Sequence, residues 1–258
     1  LELLQSPQRP IVAVQKKNKK EYSLVSELDS IGVMYPYTAL HYLLFDHLQE
    51  PVVMTSANLP GEPVLTEEGI APYYLTHDRR IVNRCDDSVI KVIENIPVFL
   101  RRSRGYVPSP LNLPITCKAT VALGALSNNT ITVAKEDRAF VSQHIGDCSK
   151  IKTMEFLKSA TDKLLHLTRA SPEIIAVDMH PEYETKKYAE ELSERFNAKI
   201  VQVQHHKAHL AGTAAEHGLD NYATFAIGDA VCRCAFANRY ECFGAGAGRP
   251  GRIGRVHV

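Results

Sequence analysis

The sequence predicts an α/β protein built from two units. Short apolar strands alternate with helical patterns through residues 1–110, and a proline-punctuated stretch at residues 108–114 is typical of a linker. Beyond it, three short strands are followed by alternating helices and strands, an order that implies a mixed sheet with helices on both faces. A length of 258 residues is sufficient for two modest domains.

Composition excludes several classes of function. The formal net charge of +1 offers no electrostatic basis for binding nucleic acid or a membrane surface. No apolar run approaches the ~18 residues that a transmembrane helix needs, and the first residues lack the layout of a signal peptide. Six cysteines occur without a C-x-x-C pair, which argues against a zinc ribbon or a disulfide framework. We expect a reduced, cytoplasmic protein whose first residue, Leu1, is not a native start.

The first unit has four predicted elements. The pattern predicts a strand at residues 11–15, a helix at 39–48 with four leucines on one face, and a buried strand at 51–55. Residues 88–93 and 98–102 are typical of a hairpin around residues 95–97.

Polar side chains at the ends of these strands are candidates for anion binding. Ser56 and Asn58 follow the predicted strand at 51–55, where α/β folds usually present ligand contacts. The run R-R-S-R-G at residues 101–105 leaves the hairpin beside a glycine turn and suits phosphate or carboxylate, and Arg102 and Arg104 are its candidates. A third cluster, D-D-S at residues 86–88, follows Arg84. The alternatives are ordinary turn formers and a solvated arginine face.

The second unit begins with three predicted strands, at residues 120–126, 129–135 and 138–143. A long helix at 150–169 follows. The remaining elements alternate between strand and helix, at residues 174–178, 183–196, 199–203, 206–217 and 222–226. The layout is similar to the ribonuclease-H-like lobe of actin-like ATPases, an analogy of fold that is weak for function.

A pair of histidines lies at the start of the helix after the fourth strand of this unit. His205 and His209 are four residues apart and share one helix face, a common way to hold a divalent metal. The alternative is a helix start that faces solvent. Asp178 ends the preceding strand, where its carboxylate could position metal or phosphate or could cap the following turn.

Separated motifs in both units resemble the carbamoyltransferase HypF family, which matures [NiFe]-hydrogenases. In the first unit they are GVMYPYTALH at 32–41, VMTSANLPGEP at 53–63, HDR at 77–79, DDSV at 86–89 and RRSRGYVP at 101–108. In the second they are ALGALSNNT at 122–130, SQHIGD at 142–147, DMHPEY at 178–183 and QHHKAH at 204–209. The resemblance implies a YrdC-like domain followed by the first lobe of the carbamoyl-transfer domain.

The resemblance also implies roles for particular residues. Ser56, Asn58, Arg102 and Arg104 would surround a triphosphate, while Asn129 and Thr130 would lie near nucleotide phosphates. His205 and His209 would hold a divalent metal, whose identity as zinc, iron or magnesium stays open. Asp178 and Asp229 are weaker metal candidates, Asp229 because it stands displaced from the family's aspartate loop. No catalytic residue is assigned.

The family chemistry makes carbamoyl adenylate from carbamoyl phosphate and ATP and passes the carbamoyl group to the C-terminal cysteine of a HypE-like acceptor. We expect domains at 1–110 (YrdC-like, N-terminally incomplete) and 118–227 (transfer lobe, C-terminally incomplete). An irregular Arg/Gly-rich tail at 228–258 would be either native or frame-shifted. With both domains incomplete, we expect the carbamoyltransferase activity of this chain to be impaired. The alternatives are a threonylcarbamoyl-type tRNA modification enzyme and a non-catalytic nucleotide-binding remnant.

Overall fold

The first half of the chain forms a four-stranded sheet. In this computed structural model, which describes residues 1–67 and 69–216 together with three short strands near the C-terminus, the first elements in chain order are α1 (Glu2–Gln5), β1 (Ile11–Gln15), β2 (Ser30–Val33), α2 (Ala39–His47), β3 (Val89–Ile93) and β4 (Ile96–Arg101). The strand order is β2-β1-β3-β4. Strand β1 is antiparallel to β2 and parallel to β3, and β3 is antiparallel to β4.

The predicted hairpin is present, but its turn lies earlier than expected. Glu94 and Asn95 both have positive φ, 50° and 66°, as a two-residue type I′ turn requires. Ile93 therefore pairs with Ile96, and Pro97 lies inside β4 instead of in the turn. Proline is tolerated there because β4 is an edge strand, with no ladder partner on its outer side.

In the first half, the predicted buried strand at 51–55 is absent, whereas the predicted helix at 39–48 is present. Residues 51–55 form no strand, and Val52, Val53 and Met54 are exposed, because no described strand pairs with this stretch. Helix α2 does form, with Thr38 capping its start by accepting a hydrogen bond from the His41 amide at 3.2 Å. No residue of the helix is buried, and the four leucines of its predicted face are exposed.

The second half contains a mixed four-stranded sheet. Its elements in chain order are β5 (Leu111–Ala122), β6 (Thr132–Val141), α3 (Ile151–Thr168), β7 (Ile174–Asp178), α4 (Glu184–Phe196), β8 (Lys199–Val203) and α5 (His205–Glu216). The order is β6-β5-β7-β8, with β5, β7 and β8 parallel and β6 antiparallel at the edge. The predicted α/β class with a mixed sheet is confirmed.

Strand boundaries in the second half differ from the predictions. The second and third predicted strands are a single strand, β6, in which Glu136 takes a positive φ of 58° opposite Cys117 at an irregularity of the ladder. Strand β5 also begins at Leu111, which pairs with Ala139, so half of the predicted linker belongs to the sheet. The residues that suggested a turn near Glu136 form a bulge inside β6, and the prolines that suggested a linker lie around the start of β5. Local sequence does not distinguish these two features from loops.

The main apolar core of the described residues lies between this sheet and helices α3 and α4. Phe156, Leu157, Leu164 and Leu165 of α3 are buried in it, as the helical pattern predicts. Ile151 and Leu167, assigned to the same face, are exposed because they occupy the two ends of the helix.

The C-terminal predictions fall partly outside the described residues. The structure assigns strands β9 (Ala226–Ile227), β10 (Arg233–Asn238) and β11 (Glu241–Gly244), which pair in the order β11-β10-β9. Two of them lie where the sequence predicts an irregular tail. Asp229, His217 and most of the predicted strand at 222–226 lie outside the residues that the structure describes. Among the described helices, none is long and apolar enough to cross a membrane.

Candidate functional site

The two predicted metal ligands meet at the carboxyl edge of the second sheet. Strands β7 and β8 are parallel neighbours in which Asp178 pairs with Val203, and helix α5 starts two residues later at His205. This connection places the Nε2 atoms of His205 and His209 3.1 Å apart. The Nδ1 atom of His205 lies 2.8 Å from an Asp178 carboxylate oxygen.

The carboxylate of Asp178 contacts two different groups. One carboxylate oxygen accepts the His180 amide at 2.9 Å and caps the turn after β7, while the other contacts the His205 ring. The carboxylate is well shielded, with 8% of its side chain exposed against 56% for His205. A buried carboxylate on Nδ1 fixes the tautomer in which Nε2 of His205 carries a free lone pair.

The spacing of the histidine pair is compatible with a shared cation. Two nitrogens at about 2.0–2.1 Å from a tetrahedral zinc lie about 3.3 Å from each other, close to the distance between His205 and His209. A direct N–H···N hydrogen bond fits the same distance. No group of three or more His, Cys, Asp or Glu side chains among the described residues could hold a metal. These two imidazoles therefore offer two ligands of a set that normally has more.

A cavity of about 810 Å³ opens beside the histidines. Its walls are the strand ends of β7 and β8, the first turns of α5, and the β5–β6 hairpin at residues 122–130. Thr130 lines this cavity, and Gly212 and Thr213 of α5 line it from the helix. The proximity of Thr130 to nucleotide phosphates stays a prediction.

Asn129 lines the same cavity but mainly holds the hairpin. It is almost fully buried, and its Nδ2 donates to the carbonyls of Leu123 at 2.9 Å and Ala125 at 3.2 Å. Its Oδ1 lies against Gly124, where a Cβ atom would come within 1.8 Å of it. Gly124 also has a φ of +68°, so backbone conformation and space both require glycine there.

A second cavity, of about 360 Å³, lies between the two halves of the chain. Ser56 and Asn58 line it from the first half, and Ser127 and Asn128 line it from the second. Ser127 and Asn128 also line the histidine cavity. The hairpin turn is thus a wall shared by the cavity beside Ser56 and the cavity beside His205.

The loop after residue 55 is ordered by its own polar groups. Ser56 Oγ donates to Asn58 Oδ1 at 2.7 Å, and Asn58 Nδ2 donates to the Glu62 carbonyl at 3.2 Å. Both side chains border the junction cavity while making these bonds. The loop is present although the strand predicted before it is not.

The two predicted arginines contact backbone carbonyls. Arg104 donates to the carbonyls of Gln8 and Arg9 and to the Asp87 carboxylate at 2.6 Å, and it stacks on Tyr37. Arg102 donates through Nη2 to two carbonyls, and its Nη1 is buried without a described partner. Neither lines a described cavity, so their part in ligand binding stays a prediction.

Two residues of the junction cavity, Arg101 and His144, were not among the assigned site residues, although Arg101 belongs to the arginine cluster that the sequence offered for anion binding. Arg101 is next to a predicted arginine, and the alternation of side chains along a strand was the signal that could have separated it from Arg102. His144 follows β6 in a motif that offers no local pattern. Burial lowers the pKa of His144, as does Arg101 to a smaller extent, while Asp86 acts in the opposite direction.

Family comparisons agree with this division of the chain. Residues 116–216 match the model of the HypF Kae1-like domain, and residues 1–103 match the Sua5/YciO/YrdC model, described as telomere recombination. A YrdC-like unit joined to a Kae1-like unit, with a cavity between them, defines the class of protein.

Individual relatives identify the family within that class. The chain is 47% identical over 219 residues to the probable carbamoyltransferase HypF of Methanocaldococcus jannaschii and 40% identical over 232 residues to carbamoyltransferase HypF of a Synechocystis strain. These matches cover 80% and 85% of this chain but 28% and 30% of the relatives. The chain belongs to the HypF carbamoyltransferase family and spans a segment of about 30% of the length of these relatives.

Solved structures of the family have the same fold. The crystal structure of full-length HypF in the phosphate- and nucleotide-bound form superposes with a TM-score of 0.77 at 35% identity, over 91% of this chain and 39% of that one. The crystal structure of T. kodakarensis HypF also gives 0.77, at 38% identity, over 85% of this chain and 30% of that one.

Proposed function

We propose that this chain forms carbamoyl adenylate in the junction cavity and transfers its carbamoyl group beside the histidine pair. The substrates would be ATP and carbamate, and water would supply the carbamate by hydrolysing carbamoyl phosphate with release of phosphate. The acceptor would be the C-terminal cysteine of a HypE-like protein. The observation that supports this most directly is the shared wall: Ser127 and Asn128 border both cavities.

The adenylation step needs positive charge and hydroxyl donors around a triphosphate. A carbamate oxygen bonds to the α-phosphorus of ATP, and the bond from that phosphorus to the β-phosphate oxygen breaks, releasing pyrophosphate. Arg101, Ser56 and Asn58 line the junction cavity where this would occur. Arg101 already donates Nε to the Asp87 carbonyl at 2.9 Å, which anchors the guanidinium and leaves its Nη groups for phosphate.

The transfer step would take place at the carboxyl edge of the second sheet. His205 and His209 would hold a divalent cation through Nε2, and such a cation, when bound, orients phosphate oxygens and neutralises their charge. Asp178 keeps the His205 proton on Nδ1. The acceptor thiolate bonds to the carbonyl carbon while the bond from that carbon to the AMP oxygen breaks.

Free thiols support a proposal about the compartment. Cys85, Cys117 and Cys148 are free in the described part of the chain, and free thiols persist in a reducing environment. We place the chain in the cytoplasm on this ground.

Adenylation is tested by ATP–pyrophosphate exchange. Carbamate is supplied either from carbamoyl phosphate or from ammonium bicarbonate, which contains it at equilibrium. We expect exchange that depends on a carbamate source and falls at least tenfold in Ser56→Ala. The control is Ser171→Ala, an exposed serine in the loop before β7.

The other outcomes have definite meanings. Exchange with threonine and bicarbonate but not with carbamate would favour a threonylcarbamoyl-type activity, which the Sua5/YciO/YrdC match of residues 1–103 makes the second candidate. Nucleotide binding without exchange from any carbamate source would overturn the proposal and indicate a nucleotide-binding remnant.

Transfer is tested separately with chemically prepared carbamoyl adenylate and a peptide that ends in cysteine. Labelled carbamoyl should appear on the peptide thiol and should be lost in His205→Ala. His166→Ala, at an exposed position near the end of α3, should retain it. Equal transfer by both variants would exclude the histidine pair from the reaction.

A further inference from the structure

A third and larger cavity, the basic cleft, lies between residues 57–84 and helix α3. Its volume is about 1010 Å³. Four basic side chains line it, from Arg79, Arg80, Arg84 and Lys163. The lining also includes Glu67 and Glu155, yet no ion pair among the described residues joins either carboxylate to any of the four.

Arg84 is held by stacking and has free donors. Its guanidinium carbon lies 5.2 Å from the centre of the Phe156 ring on α3. Its side chain makes no hydrogen bond to any residue that the structure describes, so its five N–H groups have no acceptor within that part of the chain. Stacking occupies the face of a guanidinium and leaves the donors at its edge, an arrangement suited to a bidentate oxyanion.

Lys163 lies close enough to Arg80 and Arg84 for their positive charges to disfavour its protonated form. Burial lowers the pKa of Lys163, and the charges of Arg84 and Arg80 lower it further. Its Nζ also donates to the Val82 carbonyl, so the ammonium is held near the arginines. Cations kept together without a carboxylate partner repel one another, and a bound anion would relieve that repulsion.

The basic cleft adjoins the junction cavity. Arg84 and Phe156 line both cavities, so the stacked pair forms part of the wall between them. Ala57 lines the cleft, while its chain neighbours Ser56 and Asn58 line the junction cavity. An anion released beside Ser56 would meet Arg84 first and the rest of the basic cleft next.

We propose that the basic cleft is a binding site for a phosphate-type anion, and that its ligand is the pyrophosphate released by adenylation. The identity of this ligand rests on the proposed function. The existence of an anion site depends only on four cations that form no ion pair with the residues the structure describes. Pyrophosphate carries more negative charge than phosphate and can span several cations, so it should bind the more tightly of the two.

Direct binding tests the proposal without ATP. Isothermal titration with inorganic pyrophosphate should show saturable binding to the whole chain, and inorganic phosphate should bind at least tenfold more weakly. The double variant Arg80→Gln/Lys163→Gln should weaken pyrophosphate binding at least tenfold. The control Lys135→Gln removes an exposed lysine of β6 that does not line the cleft and should bind as the parent does.

Each alternative result is decisive. Unchanged binding in the double variant would overturn the site, as would loss of binding in Arg101→Gln alone, which would place the anion in the junction cavity. Phosphate binding as tight as pyrophosphate would leave an anion site but overturn its ligand. Arg80→Gln, at an exposed position, serves if the double variant does not fold. Binding that persists without ATP–pyrophosphate exchange would refute the adenylation proposal and leave the anion site standing.

Discussion

Asp178 shows how a single side chain links the sheet to the histidine pair. Its two oxygens have different partners, the His180 amide in the turn and the His205 ring in the helix. The sequence left open whether Asp178 positions metal or phosphate or caps the following turn, and it did not predict the contact with His205. The structure contains both contacts, because the strand ends where the turn and the helix start meet.

Replacement of Asp178 by Asn separates the two contacts. Asparagine keeps an oxygen for the His180 amide but presents an amide group to His205 Nδ1, where a hydrogen-bond acceptor is needed. We expect zinc affinity, measured by titration against a chelator of known affinity, to fall 10–100-fold, as is typical when the partner of a ligating histidine is lost. The free energy of unfolding without metal should stay within about 1 kcal/mol. Unchanged zinc affinity would contradict an orienting role for Asp178.

His144 couples stability to pH through its surroundings in the junction cavity. Because burial lowers its pKa, the folded state binds fewer protons than the unfolded state at pH values below about 6.5. Stability associated with His144 is therefore present above that pH and is lost as the pH falls. Asp86 opposes the shift, and Arg101 adds to it.

The variant His144→Gln should flatten this dependence. Urea unfolding at pH 7.5 and at pH 5.5 gives the loss of stability on acidification, and we expect a smaller loss in the variant than in the parent chain. His166→Gln, at an exposed position, is the control and should lose as much as the parent. An equal loss in all three proteins would show that the protonation of His144 does not differ between the folded and unfolded states.

At the scale of elements, the β5–β6 hairpin has the largest part in both candidate sites. Its turn residues border two cavities, while buried Asn129 holds the turn from inside. The family resemblance placed this hairpin near nucleotide phosphates. It did not predict that Ser127 and Asn128 would also face the first half of the chain.

A pair of glycine substitutions tests the hairpin. Gly124→Ala should lower the free energy of unfolding by at least about 1–3 kcal/mol, the usual cost of a left-handed non-glycine residue, and the contact with Asn129 adds to it. Gly212→Ala lies in helix α5 with nothing within 4 Å of the new atom, and it should raise stability by up to about 1 kcal/mol. Denaturant unfolding measures both. Equal effects of the two substitutions would contradict the close approach at Gly124.

Local sequence is sufficient to predict some of the helices and strands of this chain but not others. Strand β7 and helices α3 and α4 were predicted to within a residue or so, because their apolar spacing matches the period of the element. Residues 51–55 have an equally apolar pattern and form no strand. Strand β7 has partner strands whose backbone groups hydrogen-bond with its own, whereas residues 51–55 have no partner strand in the described structure.

In the whole molecule, polar contacts connect the two halves. Lys150 Nζ donates to the Pro60 carbonyl at 2.9 Å, and Lys152 pairs with Glu62 at 2.8 Å. Gln143 also donates to Asn83 at 3.0 Å. Exposed pairs of this kind contribute less than about 1 kcal/mol each, so they position the halves more than they stabilise them.

Removal of the contacts made by Lys150 and Lys152 should increase local opening of the loop after residue 55 without unfolding the chain. In Lys150→Met/Lys152→Met we expect faster amide hydrogen exchange at Leu65, whose amide donates to the Ala57 carbonyl at 2.9 Å, and unchanged exchange in β7. The free energy of unfolding should change by less than about 2 kcal/mol. Lys199→Met, an exposed lysine of β8, is the control. Unchanged exchange at Leu65 would show that the loop is held by other contacts.

The sequence by itself determined the two-unit α/β order, the family, and the pairing of His205 with His209, because periodicity and i, i+4 spacing are properties of neighbouring residues. Only the tertiary structure decided that Arg101 and not Arg102 faces the junction cavity and that one hairpin turn borders two cavities. It also brought together, along a third cavity, four cations without a carboxylate partner among the described residues. Such convergence depends on residues far apart in the chain, and their distances are set by sheet pairing and burial, which no local pattern encodes.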